Sequence, residues 1–241
     1  SAIAQYQEAG LTEAEIWFVL ALDVEQRAAL MEHDVISKLI NILNGPPPPG
    51  MKEAEICART LERLAVSADV VNEIVEKGGI EALLKVYDHA ANSDESDENK
   101  DAAVTAAVRA LTKLMRDSAL MQKVVDAGAV EKVLDMLKTS PHFEKHTLEA
   151  LHFLARLEEL GYDMQKVAEM GGIEAVIEGM KRNLNNAELQ LHGMTVLDGM
   201  VVTDEQISEA LRCGLLEHIL NVMRTHPAEK ELMLKCIKML N

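Results

Sequence analysis

Apolar residues recur along most of this chain at spacings of three and four, with charged residues between them. Leu148, Leu151, Leu154 and Leu157 form one such run, with alanine filling between. That spacing puts the apolar side chains on one face of a helix. The same pattern predicts longer amphipathic helices over 52–66, 101–116, 142–158, 186–201 and 228–240.

Shorter segments between these helices repeat one another. NEIVEKGGIEALLKVY (72–87), QKVVDAGAVEKVLDML (122–137), QKVAEMGGIEAVIEGM (165–180) and SEALRCGLLEHILNVM (208–223) share one pattern, and RAALMEHDVISKLINIL (27–43) is a weaker copy. Their anchors are Asp34, Gly78, Gly128, Gly171 and Gly214, at intervals of 44, 50, 43 and 43 residues. Pro141 and Pro227 lie 86 residues apart, twice 43. The glycine suits a left-handed turn between two helices, and the proline suits the start of the next helix. Each unit is then a short helix, a glycine turn, a second helix and a longer third helix. A period near 43 residues is that of a stacked helical solenoid, in which no unit buries its apolar face alone. The prediction is an all-α single domain over 1–241 with about five units: 13–66, 67–116, 117–158, 159–201 and 202–241.

Two segments break the period. GPPPPG (45–50) reads as a stiff, extended spacer between helices. DHAANSDESDENKD (88–101) contributes -5 to the net charge and reads as an acidic mobile loop, an insertion over 88–100. Ser93 and Ser96 have acidic residues after them and are candidate phosphorylation sites, although an unmodified solvated loop is the simpler reading.

Composition and charge narrow the function. Aromatics make up 3% of the chain, so leucine, alanine, valine, isoleucine and 13 methionines must fill the core. The net charge of -16 argues against a general nucleic-acid or anionic-membrane binder. Cys57, Cys213 and Cys236 are far apart and odd in number, which fits neither a disulfide framework nor a zinc site and points to a reducing, cytoplasmic compartment. No phosphate-binding loop or HExxH motif is present. His142 and His146 are four apart but have no convincing third ligand, so they read as exposed or packed histidines. The three thiols read as inert and buried. No catalytic residue, cofactor or metal is expected.

The recurring turn, an acidic residue followed by Gly-Ala/Gly-Ile/Val between two helices, resembles that of the armadillo-repeat family from about Ala14 to Asn241. The resemblance implies a right-handed superhelical solenoid of three-helix units, with the third helices lining a concave groove for extended peptides or partner helices. It implies a non-enzymatic scaffold or adaptor. In organisation and length the chain also resembles the armadillo repeats-only family of apicomplexan parasites. That likeness implies an adaptor on the cytosolic face of the rhoptry, working with a myosin and held by a lipid anchor whose Met-Gly and cysteine segment would lie upstream of Ser1.

In the importin-alpha branch of the family, third helices carry a tryptophan and, four residues later, an asparagine that grips the peptide backbone. By resemblance, the matching positions here are Arg59, Arg109, His152 and Thr195, then Arg63, Lys113, Arg156 and Gly199. None keeps the family's residue, and the single tryptophan, Trp17, is in the first helix. A cargo receptor for basic import peptides, or a cytosolic signalling regulator, is therefore the second choice. Residues four apart share a helix face. Stacking would align 59/63, 109/113 and 152/156 into a basic strip that attracts an acidic or phosphorylated peptide or helix, as the beta-catenin branch does. The competing reading is ordinary helix salt bridges, Glu55 to Arg59 and Lys113 to Asp117. Thr195 and Gly199 leave the strip neutral. Gly193 and Gly199 would weaken their helix unless something packs closely on them, and Met194 and Met200 suit the core.

Overall fold

The computed structural model describes residues 6, 8, 10–46, 48–139 and 144–240. Among them every regular element is helical, with sixteen helices in all. The chain divides into two compact units, one ending at Arg116 and the other beginning at Asp117. This division coincides with a repeat boundary.

The first unit holds α1 (Glu13–Leu20), α2 (Val24–Glu32), α3 (Val35–Asn44), α4 (Met51–Leu64), α5 (Ala68–Glu76), α6 (Gly79–Asn92) and α7 (Asp97–Leu114). The long helices stack in sequence, α1 on α4 and α4 on α7, while α3 packs on α6. The span 13–66 thus contains four helices rather than three, and α1 takes the place of a preceding third helix. Its Trp17 is buried.

The second unit holds α8 (Ser118–Asp126), α9 (Ala129–Thr139), α10 (Glu144–Glu159), α11 (Met164–Glu169), α12 (Gly172–Arg182), α13 (Ala187–Met200), α14 (Asp204–Arg212), α15 (Leu215–Thr225) and α16 (Lys230–Met239). Here α10 packs on α13, α13 on α16, and α9 on α12. Pro141 and His142 lie outside the described residues. Pro227 sits in a turn ahead of α16, whose cap is Glu229, rather than in its first turn.

The same two devices shape every repeat. Its first helix starts on a side chain that accepts backbone N–H groups: Asp23, Ser67, Asp117, Asp163 and Thr203 cap α2, α5, α8, α11 and α14. The turn to its second helix is left-handed. Gly78, Gly128, Gly171 and Gly214 have φ between 79° and 84°, as the glycine pattern predicts. Asp34 takes the same place with φ of 52°. Its Oδ1 accepts from Ser37 Oγ at 2.7 Å and from Lys77 Nζ, one repeat further on, at 2.6 Å. These bonds favour a conformation that a side chain other than glycine rarely adopts.

The acidic stretch 88–101 is not the mobile loop its charge suggests. Helix α6 runs on to Asn92, whose amide donates to the Asp88 carbonyl at 2.8 Å, and α7 begins at Asp97. Four residues, 93–96, link them. Ser96 caps α7, and Glu95 Oε1 accepts the backbone N–H of Met51, 44 residues away, at 2.8 Å. Gly50 offers α4 no side-chain cap, so Glu95 supplies the acceptor that the start of α4 lacks.

Two short helices bury little. Helix α2 buries only Leu30 and turns Val24, Glu25, Gln26 and Glu32 to solvent. Helix α14 buries only Ala210 and leaves Ile207 and Leu211 exposed.

Candidate functional site

The third-helix positions fall in two places. In the first unit, Arg59 and Arg63 lie on α4, and Arg109 and Lys113 on α7, the most extensively packed helix pair of the chain. Arg59 Nη1 pairs with Glu55 Oε1 at 2.9 Å, the same carboxylate that takes Lys52 Nζ at 2.8 Å. Those cations hold the Glu55 carboxyl below its usual range although burial opposes them. The salt-bridge reading therefore applies to Arg59. Arg63 does something the sequence did not disclose. Its guanidinium carbon lies 3.7 Å from the centre of the Phe18 ring, and its Nη1 donates to the Phe18 carbonyl at 3.3 Å. Arg59 faces the same ring at 5.0 Å. Phe18, on α1, is a platform for both arginines. Arg109 is half-buried and Lys113 is exposed. Asp117, the proposed partner of Lys113, spends its Oδ1 on the Leu120 N–H at 2.9 Å.

In the second unit, His152 on α10 stacks on His192 of α13, with ring centres 4.9 Å apart and planes 17° from parallel. Glu149 lies 3.9 Å from His152 and raises its pKa above the ordinary value, with burial opposing. Burial first, and the His152 charge next, lower that of His192. The two shifts are opposed, so His152 takes up a proton more readily than its stacked partner. Arg156 Nη1 pairs with Glu159 at 3.0 Å. Thr195 Oγ1 donates to the Leu191 carbonyl at 3.0 Å within its own helix, so it offers no free donor. The Gly199 carbonyl accepts from Gln165 Nε2 at 3.0 Å.

The two glycines of α13 are packed against, as their helix requires. A Cβ on Gly193 would overlap Met180 Sδ, and one on Gly199 would lie 3.0 Å from Met164 Cγ. Met194 and Met200 are fully buried.

Other candidate chemistry is muted. Burial pushes the Cys57 thiol up to about 12 and raises that of Cys236. Cys213 is a correction to the expected core thiol: it caps the end of α14 and is partly exposed, although burial also raises its pKa. His146 is buried. Among the described residues no cluster of histidine, cysteine and carboxylate could hold a metal ion. No helix among them is long and apolar enough to cross a membrane.

No protein-family profile and no curated protein matches the chain. A solved structure does: an engineered protein, a structural-genomics target, superposes with a TM-score of 0.68 over 93% of this chain at 19% identity. The chain spans about half, 52%, of that protein's length. The two share an all-helical fold, and at that identity the likeness is one of fold alone.

Proposed function

We propose that the chain is a non-enzymatic interaction scaffold, an armadillo-type right-handed solenoid whose third helices take an acidic or phosphorylated peptide segment or helix. The repeat of three helices around a left-handed turn supports the solenoid. One observation carries the binding reading: Arg59, Arg63, Arg109 and Lys113 sit on two adjacent, tightly packed helices of a protein whose net charge is -16. Phe18 adds an aromatic surface beside them. Arginines held on an aromatic ring keep a fixed fork and lose little entropy on gripping a carboxylate or phosphate. The second-unit positions offer a stacked histidine pair and an Arg156 already paired with Glu159, which favours α4 and α7 for the ligand.

Titration with a short glutamate-rich peptide and its phosphoserine counterpart tests this. The double variant Arg109→Glu, Lys113→Glu should lose about tenfold or more in affinity, and raised salt should weaken the wild type. Equal binding by wild type and variant removes the site. A preference for a lysine-rich peptide would instead favour the import-receptor alternative. An adaptor bringing a myosin to an organelle surface, held by an upstream lipid, is the setting suggested by resemblance of organisation alone. Localisation of full-length protein with and without an acylation segment tests it.

A further inference from the structure

Helix α1 ends on carbonyls that its own backbone leaves open, and arginines from two other helices take them. The Leu22 N–H goes to the Val19 carbonyl, so the Phe18 carbonyl is left to Arg63 Nη1 on α4. Arg27, on α2, donates its Nε to the Ala21 carbonyl at 2.7 Å and its Nη2 to that of Leu22 at 3.4 Å. The last turn of α1 has no basic residue of its own, so these two guanidiniums meet the negative end of its dipole. Arg59 joins them at the Phe18 ring.

Capping α1 leaves much of this charge unused. Arg27 and Arg63 form no ion pair among the described residues, and Arg59 shares its carboxylate, Glu55, with Lys52. Burial and the charges of Arg59 and Arg27 lower the Arg63 pKa, with the Glu62 charge opposing. Three like charges thus crowd one partly buried spot. Donors remain on each: Nε and Nη2 of Arg59 and of Arg63, and Nη1 of Arg27, meet no acceptor among the described residues. The Arg59 side chain is 39% exposed, and Arg27 and Arg63 are partly exposed. A carboxylate brings one charge and two oxygens, which suits a single guanidinium fork. A phosphate monoester brings a charge of about -1.5 to -2 and three acceptor oxygens, which suits three. The net charge of -16 disfavours an anionic membrane as the source of that phosphate and favours a peptide.

We propose that Arg27, Arg59 and Arg63, set around Phe18, form a phosphate subsite that takes the phosphoserine or phosphothreonine of a bound peptide. This rests on the peptide-scaffold reading and narrows it, assigning the phosphate to the α1 side of α4.

Calorimetry with a glutamate-rich peptide and its single-phosphoserine counterpart, at about pH 7.5 and about pH 5, is the test. The wild type should prefer the phosphopeptide by about tenfold at the higher pH. The preference should shrink at the lower pH, where a phosphate with a second pKa of about 6 loses a charge. Arg27→Gln keeps a donor for the Ala21 carbonyl and drops the charge. It should cut the preference to about twofold, with little change for the glutamate peptide and unchanged helical circular dichroism. Arg63→Lys, which keeps the charge and loses the fork, should do the same. Equal wild-type binding of the two peptides, or a preference that survives both variants, overturns the subsite and leaves the scaffold reading standing. Binding of neither peptide overturns both. Capture by phosphatidic acid vesicles without a phosphopeptide preference would assign the arginines to a lipid surface and overturn the peptide.

Discussion

Arg63 and Phe18 are 45 residues apart in sequence, yet the guanidinium lies 3.7 Å from the ring centre and bonds to the same residue's carbonyl at 3.3 Å. The contact fastens α1 to α4. Replacing Phe18 with leucine keeps apolar volume and removes the ring's electrostatic attraction. The expected cost is about 0.5–1 kcal/mol, read as a lower urea midpoint, with tyrosine at the same place close to neutral. Equal midpoints for leucine and phenylalanine would show that the ring acts through its volume alone.

Glu95 gives a second prediction. Its carboxylate accepts the Met51 N–H at the start of α4. Glu95→Ala should cost about 1 kcal/mol in denaturant unfolding, whereas Asp94→Ala, one residue away with no cap to lose, should change little. Equal effects would mean that net charge, not the cap, matters.

The left-handed turns give a third. Alanine at Gly171, with φ of 79°, should destabilise by about 1 kcal/mol or more, because a Cβ is disfavoured in that conformation. An unchanged midpoint would show that the turn relaxes to another geometry.

His218 gives a pH prediction. It is buried on α15, and its Nε2 sits 2.8 Å from Gln190 Oε1. The Gln190 amide in turn bonds the Met180 and Asn183 carbonyls that end α12. Burial, aided by the Lys181 charge, lowers the His218 pKa from 6.5 to about 4. Between those values the unfolded chain binds the proton and the folded chain does not. Stability from this group is thus complete above about pH 6.5 and is lost as pH falls toward 4, by about 3 kcal/mol at most. His218→Gln should flatten that part of the stability–pH curve. A slope that survives unchanged would assign it to other groups.

The sequence carried the repeat plainly because local chemistry wrote it. The predicted helix over 52–66 is α4 at 51–64, and 186–201 is α13 at 187–200. A regular cap was also there to be read: Asp23, Ser67, Asp117 and Thr203 each stand 11 residues before the left-handed residue of their repeat. Asp163 stands eight before Gly171 because α11 is only six residues long. What could not be read depends on distant partners. The charge of 88–101 looks like a solvated loop until Glu95 is seen to find a backbone N–H 44 residues away. The alignment picked out Arg63 and His152 but neither Phe18 nor His192, since nothing near either marks the ring that will face it.

The Glu95 carboxylate ties the start of α4 to the link ahead of α7, 44 residues further along the chain. Fraying of that link would therefore uncap α4 as well, so the two helix starts open together rather than one by one.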